Sequence, residues 1–304
     1  MPAPRVRPFR RADRDQLTDL VNAHVAAVVP GVSVSVNTVL SELERQPGEI
    51  VTDPWVAERA TLVAEQHGQV VAGAHLLRYR ADAEVGESYR DAGAIDWFVF
   101  RPPASFRPDT REAADLLMRA CLARLAGWNV RAGYADGALP APVVHGLPRN
   151  WPHVRAVYAD AGFRHVGDTE VILLARVADL PRTEPGEHLA VERTVGECGT
   201  RLTVHDGGSA LGFIEVDTAL DRPERHARAA GLADIGNLHV APAAHGTGLE
   251  HRLLAHAADW LRLCGVDRLV AYGTETDRTL PGHLTGAGFR ELTRTDRGWE
   301  HRPG

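Results

Sequence analysis

The chain contains no lysine: all 34 of its Lys+Arg residues are arginine. Chemistry that needs a lysine amine is excluded, which removes Schiff-base enzymes, pyridoxal-phosphate enzymes and P-loop nucleotide hydrolases. Cysteine is scarce. Cys121, Cys198 and Cys264 are odd in number and share no short spacing, so neither a disulfide framework nor a zinc knuckle is encoded. Each is expected to serve as a small apolar residue in a reducing compartment. No run of about 18 apolar residues occurs, so no spanning helix is expected. The opening Met1-Pro2-Ala3-Pro4-Arg5 has no apolar signal core. These features lead to an expected cytoplasmic location with no membrane partner. The net charge is -6, and without a basic field nucleic acid is not the expected partner.

Several catalytic signatures are missing as well. There is no G-x-S-x-G elbow, no G-x-x-x-x-G-K-[ST] and no H-E-x-x-H. The 15 histidines invite a metal reading. The closest pairs, His239 with His245 and His251 with His256, are six and five residues apart. That spacing does not put two ligands on one helical face, so no metal is expected.

At roughly 100–200 residues per domain, 304 residues favour two domains. Hydrophobic periodicity predicts a strand near 6–9, then helices near 17–28 and 35–44. Asp13 and Gln16 have the spacing of a capping pair for the first helix. A hairpin follows at 61–65 and 69–77, joined by Gln66-His67-Gly68. Next come a strand at 94–100, a helix at 113–125, a strand at 130–134 and a helix near 153–161. A strand at 169–175 is expected to close this unit. Leu180-Pro181-Arg182-Thr183-Glu184-Pro185-Gly186 reads as a linker. Beyond it a shorter version of the same order recurs, with strands near 189–193, 201–205, 211–216, 235–240 and 268–272 and a helix at 249–263. Asp206-Gly207-Gly208 supplies its hairpin turn. Ala161-Gly162-Phe163-Arg164 recurs as Ala287-Gly288-Phe289-Arg290. So long a period signifies domain duplication. The expected domains are 1–180 and 188–304.

The stretch richest in chemistry is 238–250, Leu-His-Val-Ala-Pro-Ala-Ala-His-Gly-Thr-Gly-Leu-Glu. A strand ends in a Pro-containing turn, two glycines follow, and an amphipathic helix begins. Glycines let backbone N–H groups face outward. The helix N-terminus adds partial positive charge. Together they suit a pyrophosphate.

This segment resembles the GNAT acetyltransferase superfamily, whose CoA loop reads R/Q-x-x-G-x-G/A after V-x-P. Val240-Ala241-Pro242 matches the lead-in and Gly246-Thr247-Gly248 the centre. His245 stands where Arg or Gln is usual, and Glu250 where a small residue is usual. The resemblance extends over nearly the whole chain through the element order and the terminal Gly-Phe of each copy. It implies an α+β fold of two GNAT-type domains, each a mixed, mostly antiparallel sheet flanked by helices. It implies an acyl-CoA-dependent N-acyltransferase that moves acetyl from acetyl-CoA to a small-molecule amine by direct attack in a ternary complex. It also implies CoA binding by Leu238, Val240, His245, Gly246, Thr247, Gly248, Leu249 and Glu250. A monomer or a homodimer is expected, with no metal.

The two copies keep different halves of the family's equipment. Tyr158, four residues before Gly162, matches the family tyrosine that protonates the departing CoA thiolate. The corresponding loop of that copy, 102–111, has three prolines and no glycine, and proline has no N–H to offer a phosphate. In the second copy Leu284 holds the tyrosine position. His283 beside it and Tyr272 on the preceding strand are the stand-ins. Asp234 and His239 are the base candidates there, and Asp96 in the first copy. Glu250, Leu284 and the proline-rich loop carry the alternative reading, a GNAT-fold protein that binds a ligand or partner without turnover.

Overall fold

The computed structural model describes residues 3–45, 54–102, 110–135, 137–183, 189–220, 227–228, 231–276 and 279–302. The proline-rich segment 103–109 and linker residues 184–188 lie outside them. In chain order the elements are β1 (Arg5–Pro8), α1 (Arg14–Val28), β2 (Ser33–Val34), α2 (Val36–Leu43), β3 (Val56–Gln66), β4 (Gln69–Tyr79), β5 (Gly93–Phe100), α3 (Arg111–Gly127), β6 (Gly133–Ala135), β7 (Leu147–Pro148), α4 (Pro152–Asp160) and β8 (Arg164–His165). They continue as β9 (Thr169–Arg176), β10 (Ala190–Gly196), β11 (Gly199–Asp206), β12 (Ser209–Asp217), β13 (Ala227–Arg228), β14 (Leu232–Val240), α5 (Leu249–Leu263), β15 (Arg268–Thr274), α6 (Thr279–Gly286), β16 (Arg290–Asp296) and β17 (Trp299–His301). Among the described residues no helix is long and apolar enough to cross a membrane.

The chain forms two compact units, each built on a mixed, mostly antiparallel sheet with flanking helices, as the α+β expectation required. The first holds 1–169 with 295–304, the second 170–294. The first sheet has the order β1-β3-β4-β5-β6-β17-β8. The second runs β10-β11-β12-β14-β15-β9-β16. Strand β9 therefore does not close the first unit, as sequence order suggests. It pairs antiparallel with β15 over seven residues, from Arg268↔Arg176 to Thr274↔Glu170. Its inward residues Val171, Leu173 and Ala175 join the second unit's core. In exchange, β17 from the chain's end lies between β6 and β8 in the first unit. A neighbour in sequence lost to a better-matched edge elsewhere, which local pattern alone does not reveal.

Both tight hairpins have the predicted chemistry. His67 and Gly68 turn with φ of 54° and 75°, and Gly207 and Gly208 with 53° and 89°. Two consecutive positive-φ residues are what a two-residue turn needs to match strand twist. The capping pair at α1 does not form. The Asp13 carboxylate accepts from Arg7 at 2.7 and 2.9 Å and from the Arg10 N–H at 2.8 Å. Gln16 Oε1 accepts from the Val70 N–H instead. The repeated Gly-Phe is a shared helix stop. Gly162 and Gly288 have positive φ. Phe163 N–H donates to Tyr158 C=O, and Phe289 N–H to Leu284 C=O, both at 3.0 Å. This six-to-one bond closes a Schellman cap and drives each Phe into its core. It also makes Tyr158 and Leu284 equivalent positions.

Helix α5 lays Leu249, Leu253, Leu254, Ala257, Ala258 and Leu261 into the second core, each at most 3% exposed. Each buried leucine contributes roughly 1.5–3 kcal/mol. In the first unit His24 is buried on α1, 2% exposed. Its Nδ1–H donates to Leu20 C=O, and its Nε2 meets His153 Nε2 at 3.1 Å. Burial pushes its pKa down to about 4, with the nearby His153 adding to the shift and the Leu20 carbonyl opposing it.

Two predictions follow from this architecture. The unfolded chain protonates His24 near pH 6.5, whereas the folded chain does so only near pH 4. Acid therefore favours unfolding: the contribution is complete above about pH 6.5 and is lost as pH falls toward 4. Urea unfolding of wild type and His24→Phe should show wild type losing roughly 3 kcal/mol more than the variant between pH 7 and pH 4; parallel pH profiles would show that His24 does not titrate this way. The second concerns β9. A fragment of residues 169–296 should unfold cooperatively on heating, whereas 188–296, which lacks a strand from inside the sheet, should not. Equal cooperativity in the two fragments would mean that β9 is dispensable.

Candidate functional site

Strand β14 and strand β15 are parallel, and their pairing covers only Leu232↔Arg268, Ala233↔Leu269 and Asp234↔Val270. Just beyond, β14 carries a bulge. Ile235 faces Val216 and Asn237 faces Glu215, so Gly236 is the extra residue. A Cβ at Gly236 would lie 2.2 Å from Cys198 Cβ, so no side chain fits there. A bulge bends its strand and ends regular pairing. Here it parts β14 from β15 and leaves a cleft of about 250 Å³ lined by Ile235, Gly236, Asn237, Leu238, Ala271, Tyr272 and Leu284.

The loop after β14 is built to hold one shape. Pro242–Ala244 is a single 3-10 turn. His245 Nε2–H donates back to Val240 C=O at 3.0 Å. Thr247 Oγ1 donates to Ala244 C=O at 2.7 Å. Gly246 and Gly248 then take φ of 75° and 79°, and a Cβ at either would meet nothing within 4 Å. Glycine is needed here for the left-handed backbone, which costs other residues about 1–2 kcal/mol, and not for lack of room. Gly248 is the N-cap of α5 and supplies no capping side chain. The N–H groups of the first helical turn have no intrahelical acceptors, and they open onto the loop with the positive end of a 15-residue helix behind them.

In front of this loop is a larger cleft of about 440 Å³. Leu238, Gly246, Gly248, Glu250, His251, Leu254, His283, Leu284 and Ala287 are among its walls. Leu238 and Leu284 belong to both clefts. The two spaces are therefore neighbours: an anion-suited, partly apolar channel adjoins a second opening between parted strands.

The structure sorts the sequence candidates. Leu238, Gly246, Gly248 and Glu250 line the channel. Leu249 and Val240 are buried beneath it, and His245 and Thr247 brace the loop. Among the candidates for proton transfer, His283 lines the channel. Asp234 sits at the last paired position, where the strands begin to part. His239 is on the other face of β14, opposite Phe213 with ring centroids 5.5 Å apart, because Leu238 and Val240 face the helix side and strand side chains alternate. Tyr158 is fully buried in the first unit, packed against Phe98 and Phe163 at 5.9 and 5.0 Å; it is a core residue there. Tyr272, the stand-in on β15, does line the strand opening. Asn237, His251 and Leu254 line the clefts without having been expected there; His251 entered the sequence reading only as one of a histidine pair weighed for a metal. Leu254 follows Glu250 by four residues and so shares its helical face. A glycine inside a strand pattern, as at Gly236, is a bulge signal.

Beneath the strand opening, Glu215 is fully buried. Burial alone would raise its pKa, but the Arg201 guanidinium at 2.6 Å and the Cys198 N–H hold it below the ordinary carboxylate range. It ties the β10–β11 turn to β12 behind the cleft, a bracing role.

Residues 175–280 match the model of the Acetyltransferase (GNAT) family. No curated protein matches the chain. Among solved structures, the chain is similar to a tandem GNAT protein from the clavulanic acid biosynthesis pathway, with 16% identity, a TM-score of 0.60, and coverage of 99% of each chain. It is similar to a GCN5-related N-acetyltransferase from Sphaerobacter thermophilus at 15% identity and a TM-score of 0.60, covering 99% of this chain and 96% of that one. A GCN5-related glucosamine N-acetyltransferase region of a fungal multi-domain β-N-acetylglucosaminidase gives a TM-score of 0.62 at 14% identity. That match takes in 98% of this chain but 38% of the fungal one. At such identities the likeness is one of fold.

Proposed function

We propose, for a chain whose residues 175–280 belong with the GNAT acetyltransferases and whose fold is that of a tandem GNAT protein, that the protein is an acyl-CoA-dependent N-acyltransferase. It transfers acetyl from acetyl-CoA to a small-molecule amine, and the second unit does the work. The observation that carries this reading is the pair of clefts that share the walls Leu238 and Leu284, one at the Gly246–Gly248 loop and one where β14 and β15 stop pairing.

The backbone N–H groups at the start of α5 receive the pyrophosphate of acetyl-CoA, and the apolar walls at Leu238 and Leu254 receive its pantetheine arm. The backbone of β14 beyond Asp234, no longer paired with β15, offers groups to the pantetheine amides and to the thioester carbonyl. That carbonyl is where negative charge develops in the transition state. The amine arrives from the strand opening. Its nitrogen attacks the carbonyl carbon, the C–S bond breaks, and the CoA thiolate leaves. The amine proton must depart, and the thiolate must gain one. His283 in the channel and Tyr272 at the opening are the side chains placed for the thiolate end. Asp234, at the start of the opening, is the acceptor candidate for the amine proton through water.

One observation favours the alternative of binding without turnover. Glu250 lines the channel one residue past the start of the helix that would cradle the phosphates, and its carboxylate opposes them. Acetyl-CoA calorimetry together with a thiol-release assay over a panel of small amines separates the two. Binding with thiol release supports transfer, and binding without release from any amine supports the alternative.

Gly248→Trp places an indole in the open space before the loop and should weaken acetyl-CoA binding at least about tenfold, beyond the backbone cost of about 1–2 kcal/mol to stability. Unchanged affinity would sink the assignment of the loop. Glu250→Gln should tighten acetyl-CoA by roughly 1 kcal/mol, on the scale of a partly exposed charge contact. It should also cost some tenths of a kcal/mol of stability by removing an acid from a helix N-terminus. Weaker binding in this variant would give the carboxylate a positive role.

A further inference from the structure

The geometry points to a divalent metal site in the first unit, held by Glu42, His75 and Asp96, that takes a first-row transition ion such as Mn²⁺ or Zn²⁺. It is independent of the proposed acyl transfer. One oxygen of each carboxylate and one imidazole nitrogen all lie within 4.8 Å of one another. The centre of a triangle of that size is about 2.8 Å from each corner, and Zn–N and Zn–O bonds are about 2.0–2.2 Å. A shift of well under 1 Å per ligand closes the difference, within reach of two half-buried carboxylates.

The three ligands come from three elements: Glu42 from α2, His75 from β4 and Asp96 from β5. A backbone irregularity brings them together. His75 faces Trp97 across the sheet while Leu76 faces Ile95, so Asp96 is the extra residue of a bulge. Regular alternation would send Asp96 to the opposite face from Trp97 and His75. A bulge re-aims its side chain, and Asp96 arrives beside the ring that stacks on Trp97 at 5.8 Å. The bulge also lies next to Ile95↔Ala135, the last pair of the parallel β5–β6 ladder among the described residues.

Each of two ligands is held by a neighbour, as metal ligands are. His75 Nδ1 is 2.9 Å from Thr61 Oγ1. With Nδ1–H donating to that hydroxyl, the lone pair is at Nε2. Trp97 Nε1–H donates to Glu42 Oε1 at 3.0 Å. His75 is 1% exposed and Trp97 fully buried, so both rings are fixed by packing. Two carboxylates so close in a half-buried place repel when both are ionised, and a divalent cation would offset both charges. One imidazole with two carboxylates suits Mn²⁺ and Zn²⁺ better than Ca²⁺ or a thiolate-seeking ion.

The test is equilibrium binding to the full chain, with Mn²⁺ followed by electron paramagnetic resonance and Zn²⁺ by calorimetry. Wild type should take up one saturable equivalent of Mn²⁺. Glu42→Gln and Asp96→Asn should each lower its affinity at least about tenfold, with circular dichroism unchanged. Thr61→Val keeps all three ligands and should still weaken binding about 10–100-fold, as loss of a ligand's supporting hydrogen bond does. His67→Gln, at the exposed tip of the β3–β4 hairpin, eight residues along the strand from His75, should change nothing. Absence of a saturable site for either ion in wild type overturns the proposal, and that measurement stands even if a ligand variant fails to fold. Binding that survives both carboxylate variants also overturns it.

Discussion

Three residue pairs of parallel sheet, and no more, set the character of the second unit. Leu232 to Asp234 hold β15 by its first residues, and then the bulge at Gly236 turns β14 aside. Everything of chemical interest lies downstream of that parting. The opening between the strands exists because the pairing stops. The loop at 241–248 is aimed by where β14 ends, and α5 starts where that loop leaves it. Backbone groups that cannot pair with a neighbouring strand must pair with something, and a bound molecule with amides of its own is a fitting partner.

The loop and its helix were the most legible part of the sequence. Val240-Ala241-Pro242 and Gly246-Thr247-Gly248 each report a local backbone state, and local states are what residue types encode most directly. Helix α5 was read to its observed bounds because its leucines and alanines keep a strict helical period. The strands of the hairpins were legible for the same reason, with turn residues that demand positive φ. Proton-transfer candidates were poorly legible. His239 and Asp234 are chemically suitable, but which face of a strand a residue occupies depends on register. Register next to a bulge shifts by one residue.

The exchange of β9 and β17 was illegible for a different reason. Nothing in Thr169–Arg176 or Trp299–His301 says which sheet edge each will join, because both pair through backbone and both carry ordinary strand residues. The same limit hid the Glu42, His75 and Asp96 cluster. Its members are 33 and 21 residues apart, and only a hairpin, a bulge and a packed helix bring them within reach of one another. Histidine spacing along the chain was the wrong measure for it.

The placement of β17 also bears on how the protein is made. Synthesis runs from the N-terminus, and domains generally fold as units while the chain emerges. The first unit cannot do so to completion, because Trp299 to His301 fill a position inside its sheet. Until residue 301 has been translated, β6 and β8 present unpaired edges, and such edges recruit other chains. The first unit therefore stays unsealed through the synthesis of the whole second unit, since β17 follows it in the chain. A ribosome that stalls anywhere in the second unit would release a product with both sheets unfinished.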